Sequence, residues 1–387
     1  MKEVFSSGTK PAPAPQKSYD EVVEYIVGEI DWCLDDLQEN WLPHSDNLTS
    51  EIGRFDKKSA LAIKSRVLLH AASPLHNPSG DVTKWERAAK AARDVIELMS
   101  YTMPPDRDYR EAFLGNKAAS SPETIFAMRL QASNNLERAN YPIATPGGYS
   151  GVTPTHDLVK AYEYIGAGPE PSGISYADRD PRLTATVVVN GSIWNGREID
   201  QSSEGRDNMA NPNTSKTGYY LKKFLHDDIN LIQNTSKEHV WIVFRYGEIL
   251  LNYAEAMNMA FGPDATPAGY TKSARQALNE VRASASTHLP AVTVTVPADF
   301  HAAVKHERRI ELAFEGHRYW DLLRWKDAET VLNRPVHGVT VEKIAPNYVY
   351  TEVEVADRVF GERHYFWPFS RAEIVNSKGT MSQNKGY

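Results

Sequence analysis

The segment ERRIELAFEGHRYWDLLRWK, residues 307–326, sets charges of both signs at helical spacing. Arg308 and Glu311, Arg318 and Asp321, and Asp321 and Arg324 stand three residues apart, and His317 and Asp321 four apart, so opposite charges meet along helical surfaces. Ile310, Phe314, Trp320 and Leu323 supply apolar anchors beside them. Such a segment belongs in a polar helix–helix interface held by ion pairs and aromatic faces, with a bend or restart at Gly316.

Helical periodicity recurs before it. SYDEVVEYIVGEIDWCLDDLQENWL, from Ser18 to Leu42, places Val22, Val23, Ile26, Ile30, Leu34 and Leu37 on one face behind a Ser18 N-cap. DKKSALAIKSRVLLHAASPL gives a second helix that Pro74 should end, and WERAAKAARDVIEL a third from Trp85 to Leu98, with small residues that let helices approach. Trp41 and Trp85 read as packing residues at helix ends. VWIVFRYGEILLNYAEAMNMA and KSARQALNEVRASA continue the series after a middle rich in Gly, Pro, Asn and Ser. In that middle, ETIFAMRL and RLTATVVV read as strands. The tail HYFWPFSRAEIVNSKGTMSQNKGY reads as a short aromatic strand, a turn and a helical turn. The expected fold is mainly α, built from tetratricopeptide-like helix pairs with a loop-rich α+β insert. Helical scaffold is expected over 18–114 and 239–330, the insert over 115–238, and loops with a short strand over 331–387, all within one domain spanning 1–387.

Composition narrows the function. A formal charge of −7 argues against a nucleic-acid partner, and no run of eighteen apolar residues offers a membrane span. The single cysteine, Cys33, sits in a helical pattern and provides neither a disulfide framework nor a metal site. His301 and His306 are five apart, on different helical faces, and Ile310 stands where a zinc motif would need its second His. They read as an exposed pair on a charged helix. Acidic residues such as Asp31, Asp35, Asp36, Glu311 and Glu315 lie on helices rather than on loops converging at a cleft, so no catalytic pair, metal or cofactor is expected.

Several blocks together resemble the SusD/RagB-like nutrient-binding proteins. ERRIELAFEGHRYWDLLRWK looks like the family signature, and GRFDKKSALAIKSRVLLHAASPLHNP, DPRLTATVVVNGSIWNG, FRYGEILLNYAEAMN, ALNEVRASA and the terminal SQNKGY resemble further family segments in the same order, from Ser18 to Tyr387. The resemblance implies a right-handed superhelix as scaffold and a non-catalytic task, the capture of oligosaccharides or other nutrients as a lid on a TonB-dependent SusC-like outer-membrane transporter. It also implies a cell-surface lipoprotein of the outer membrane. The family's signal peptide, lipidated cysteine and first helical stretch do not precede Ser18, so the chain is read as N-terminally truncated. Arg308, Glu311, Glu315, Arg318, Trp320 and Asp321 then become scaffold residues, so that replacing Glu311 or Arg318 should cost stability before ligand affinity.

Sugar rings bind flat aromatic platforms edged by amides and charged groups. The aromatics of the insert least committed to helical stripes are Tyr149, Tyr164, Tyr176 and Trp194, the last with Asn195 beside it, and these form the expected ligand surface. Tyr219 and Tyr220 are read as structural. Two other classes predict different surfaces: a helical-repeat module for protein partners needs an exposed concave groove, and a glycoside-cleaving enzyme needs two carboxylates flanking a cleft.

Overall fold

The computed structural model describes residues 15–39, 53–98, 103, 108–284 and 289–387. Leu42 as the end of the first helix, Trp41 and most of the PAPAP segment lie outside them. Among the described residues helices dominate, accompanied by four two-stranded antiparallel sheets.

The helix Tyr19–Cys33 starts at a capping box, in which the Ser18 hydroxyl accepts from the Glu21 N–H and Glu21 accepts from the Ser18 N–H. Its Val23, Val27 and Ile30 are buried, and it packs on Lys57–Ala72. That second helix stops before Ser73, whose extended backbone is the conformation Pro74 imposes on its neighbour. Val82–Leu98 buries Trp85 and the alanines at 88, 89, 91 and 92, so its backbone fits closely between Lys57–Ala72 and the helix Tyr246–Phe261. Tyr246–Phe261 is buried continuously from Tyr246 to Asn258, the pattern of a helix enclosed by others. It touches Lys57–Ala72, Val82–Leu98, Ala274–Ala283 and Pro297–Glu311, and their apolar faces form the main core.

Four local expectations are corrected. The stretch from Val240 to Arg245 is not the start of a helix but the end of the strand Lys237–Arg245, paired with Thr124–Ser133, because its β-branched residues pack on a pleated surface. Arg182–Thr186 is a helical turn opened by Pro181, and only Val187–Val188 joins Tyr220–Leu221 as strand. The region 331–387 contains a long hairpin, Val336–Ile344 with Asn347–Ala356, rather than loops and one short strand. HYFWPF begins as a 3-10 turn, Glu362–Tyr365, and forms no strand. The break after Pro297–Glu311 occurs as expected: Phe314 and Gly316 adopt positive φ of 64° and 82°, and a new helix runs Arg318–Arg324.

Charges of the 307–326 segment are satisfied differently from the spacing argument. Arg308 and Glu311 turn to separate partners. Glu311 lies between Arg182 at 2.8 Å and Arg245 at 2.7 Å, while Glu307 joins Arg182 to Arg282. Glu315 receives Arg245 at 2.7 Å and Lys223 at 2.8 Å. Arg308 forks onto both oxygens of Asp321 at 3.1 Å, and Arg324 bonds Asp321 at 2.8 Å and both oxygens of Glu255 at 2.6 Å. The Trp325 indole N–H also donates to Glu255, at 2.6 Å. These groups are nearly inaccessible to water. Of the pairs expected along the helix, Asp321–Arg324 forms; His317 instead faces Glu248 at 3.8 Å. Arg318 and Trp320 stand outside this network, and Trp320 is 51% exposed rather than an anchor.

Removing one partner of such a buried cluster leaves uncompensated charge. Glu311→Ala, which takes one carboxylate from each of Arg182 and Arg245 and leaves the buried cluster with one excess positive charge, is expected to lower unfolding free energy by about 3–5 kcal/mol in urea titration. Breaking the exposed Arg87–Glu24 pair should leave the midpoint nearly unchanged. Burial pushes Glu315 up, but Arg245 and Lys223 together pull it down to about 2, from an ordinary value of 4.5. Burial likewise opposes ionisation of Glu255 and Asp321, and their arginines prevail, holding both below the ordinary range. Folded-state values below unfolded ones give stability that is complete above about pH 4.5 and lost as pH falls toward 2. Circular dichroism across an acid titration should show that loss, with Glu315→Gln flattening it.

Candidate functional site

Each aromatic expected at the ligand surface is positioned by its own local chemistry. Tyr149 follows Gly148, where a Cβ would come within 2.7 Å of the Tyr141 carbonyl oxygen, and the Ser150 hydroxyl accepts from the Ile143 N–H at 2.7 Å. This tight turn projects Tyr149 outward, 64% exposed. Tyr164 is half-buried and bridges backbone to backbone with Arg179. Tyr176 is half-buried against Tyr219 and Tyr350, with its hydroxyl 3.1 Å from that of Tyr219.

Trp194 has no exposed face, which corrects its expectation as a sugar platform. Only 2% of it reaches solvent. Its ring meets Tyr141 edge-on at 5.9 Å, and the Arg110 guanidinium and Lys222 ammonium lie 5.4 and 5.8 Å from its centre. The strand pair Ile193–Trp194 and Arg197–Glu198 turns sharply at Asn195 and Gly196, both at positive φ, and swings the indole inward. Asn195 supports that turn by donating to the carbonyls of Asp227 at 2.9 Å and Ile229 at 3.2 Å. Tyr219 and Tyr220 are fully buried, as packing residues would be. The five candidates are therefore not one surface: Tyr149 is open, and the others are engaged in the insert.

The histidine pair is half-buried rather than exposed, with His301 3.4 Å from Glu255 and His306 3.5 Å from Glu163. No cluster of three or more metal-ligating side chains occurs among the described residues.

Two open concavities escaped sequence reading. A cavity of about 480 Å³ lies between the loop entering the helix His156–Val159, the turn after Glu311 and the helix Ala328–Leu332. Leu158, Phe314, Leu322 and Leu332 form its walls and Tyr319 stands at its rim. Arg309 and Arg318 also line it. The signal for it was the doubled arginine at 308–309, since adjacent helical residues point about 100° apart and one core cannot receive both. A second groove of about 310 Å³ is lined by Tyr19, His76, Trp320, Phe366 and Trp367, with Tyr19 stacked on His76 at 3.5 Å.

Because Trp194 fills the core of the insert, Trp194→Ala should cost about 3–5 kcal/mol of stability, read by thermal or urea unfolding. Tyr149→Ala should leave the transition unchanged.

Comparison with known proteins agrees with this architecture. A family model described as the SusD family matches residues 122–387. Two SusD-like proteins of Formosa agariphila, P38 and P2, are each 24% identical, over 85% and 95% of this chain. The chain spans 62% and 65% of their lengths, less than two thirds of each. A SusD-like protein from Bacteroides fragilis superposes with a TM-score of 0.80 at 26% identity, over 100% of this chain and 75% of that one. A SusD-like carbohydrate binding protein from the same organism gives 0.74 at 28%, over 94% and 71%. With the model covering well over half of its residues, the chain belongs to the SusD family.

Proposed function

We propose that this protein captures oligosaccharides, or nutrients of similar size, at the bacterial cell surface and hands them to a TonB-dependent SusC-like transporter without cleaving them. Family membership and the carbohydrate-binding description of one structural neighbour support the ligand class. The observation that carries the non-catalytic part is the distribution of carboxylates. The acids of the 307–326 segment are committed to buried arginines, whereas the open cavity is lined by one carboxylate, Asp157, which His337 engages at 3.0 Å. Glycoside hydrolysis uses two carboxyl groups facing one bond. The cavity volume lies within the range of about 300–1,000 Å³ typical of small-ligand sites. Anchoring to the outer membrane by lipid belongs to the same reading and follows the family.

A protein-binding role has its own support. Trp320 and Trp367 are 51% and 67% exposed beside Phe366, an aromatic surface of the kind partners cover. It fits alongside glycan capture, since a lid must also hold its transporter.

Native gels cast with a panel of polysaccharides provide the test. Retardation by at least one glycan, with no new reducing ends after prolonged incubation, is expected. Release of reducing ends would overturn the non-catalytic assignment, and failure of every glycan to retard the protein would overturn glycan capture. Pull-down from detergent-solubilised outer membranes should recover a TonB-dependent transporter, and Trp367→Ala should reduce its yield.

A further inference from the structure

We infer that the cavity beside the 312–317 turn receives the anionic group of an acidic saccharide, a carboxylate or a sulfate ester, through Arg309, Arg318, Arg334 and Arg358. This rests on the glycan-capture reading and adds the chemical class of the sugar.

All four arginines line the same 480 Å³ space. Their pairing differs from that of the arginines in the core. Arg182, Arg245, Arg282, Arg308 and Arg324 each hold at least one carboxylate. None of the four cavity arginines forms an ion pair among the described residues. Arg309 donates to the Asp157 carbonyl at 2.7 Å, and Arg358 to the carbonyls of Val331 and Arg334 at 3.4 and 3.2 Å. Among the described residues Asp157 is the only acid lining the cavity, and its carboxylate is taken by the backbone N–H of His337 at 3.1 Å and by its ring.

Like charge accumulates around this space, with Arg309 and Arg318 half-buried and Arg334 and Arg358 exposed. Burial, then the charge of Arg309, draws the Arg318 guanidinium down to about 10 against the opposing pull of Asp321 and Asp327; burial also lowers Arg309, where Asp157 opposes the shift and Arg334 adds to it. A fold that gives its core guanidinium groups carboxylates leaves these without one, and an incoming anion relieves the repulsion. The planar fork of arginine suits the paired oxygens of a carboxylate or sulfate. In the same space as the charges, Leu158, Leu322 and Leu332 with the ring of Tyr319 offer the apolar surface that a sugar's C–H face requires. A bare inorganic anion would leave that surface wet.

Isothermal titration of this chain with oligogalacturonate, oligoglucuronate, their methyl esters and galactose 6-sulfate tests the assignment, because esterification removes charge and keeps the sugar. At least one acidic ligand is expected to bind about tenfold or more tighter than its uncharged counterpart, with the gap narrowing as salt rises. Preference for the uronates or for the sulfate identifies which anion the site takes. Arg334→Gln, at an exposed position, and Arg318→Gln, deeper in, should each weaken that binding about tenfold. Because Arg334 makes no ion pair among the described residues, its replacement should leave unfolding unchanged and keep the experiment readable. Equal affinity for acid and ester, or parental affinity in Arg334→Gln, overturns the inference. Binding of neutral glycans as tightly as of the acidic ligands would overturn it while leaving glycan capture standing. Absence of binding to any glycan removes both.

Discussion

Glu311 is the point from which much of this structure is organised. A carboxylate buried on a helix would be expelled or neutralised if it stood alone. Here Arg182 approaches from the insert and Arg245 from the end of the Lys237–Arg245 strand, so the insert, the sheet and the last long helix meet at one charge. Glu307, Glu315 and Asp321 repeat the arrangement along the same segment, drawing in Arg282, Lys223, Arg308 and Arg324. Burying such pairs is not an economical source of stability compared with apolar packing. What it provides is register: each guanidinium fits its acid in one alignment only, and elements distant in sequence are fixed relative to one another.

That fixing frees the neighbouring surface. Arg308 and Arg309 are consecutive, yet one closes an internal cluster and the other faces the cavity. Arg318 lies one helical turn from Asp321 on the same helix, but Asp321 is taken by Arg308 and Arg324, and Arg318 lines the cavity instead. The same short sequence thus supplies both the rigid interior and the charged lining, and the precision of the first positions the second.

Much of the fold was legible. Helical spacing and capping residues located Tyr19–Cys33, Lys57–Ala72 and Val82–Leu98, and the break at Gly316 followed from its backbone freedom. Errors arose where two periods overlapped, as at Val240–Arg245, whose apolar run suits a buried strand as well as a helix. The hairpin of 336–356 was legible and missed: VTVE and EVEV alternate apolar and polar residues with the period of a strand. The site was less readable than the fold. Exposure of an aromatic is a tertiary property: the turn at Asn195 that buries Trp194 would be compatible, by sequence alone, with an outward ring. Charge pairing was misjudged for a related reason, since spacing of three or four residues reports neighbours on one helix and is silent on arginines arriving from 66 or 129 residues away.

Arg182 and Lys223 have a consequence beyond stability. They bind Glu311 and Glu315, at the end of one helix and in the turn that follows it, and so tie both ends of residues 183–222 to the same place. Topologically that stretch is a closed loop. The entropy of closing a loop grows only slowly with its length, so insertions between its anchored ends disturb the rest of the protein little. Lineages could lengthen, shorten or redecorate this arc while the helical body keeps its shape, much as a standard handle accepts different tool heads. Diversification of what such proteins recognise would then require no reinvention of how they fold.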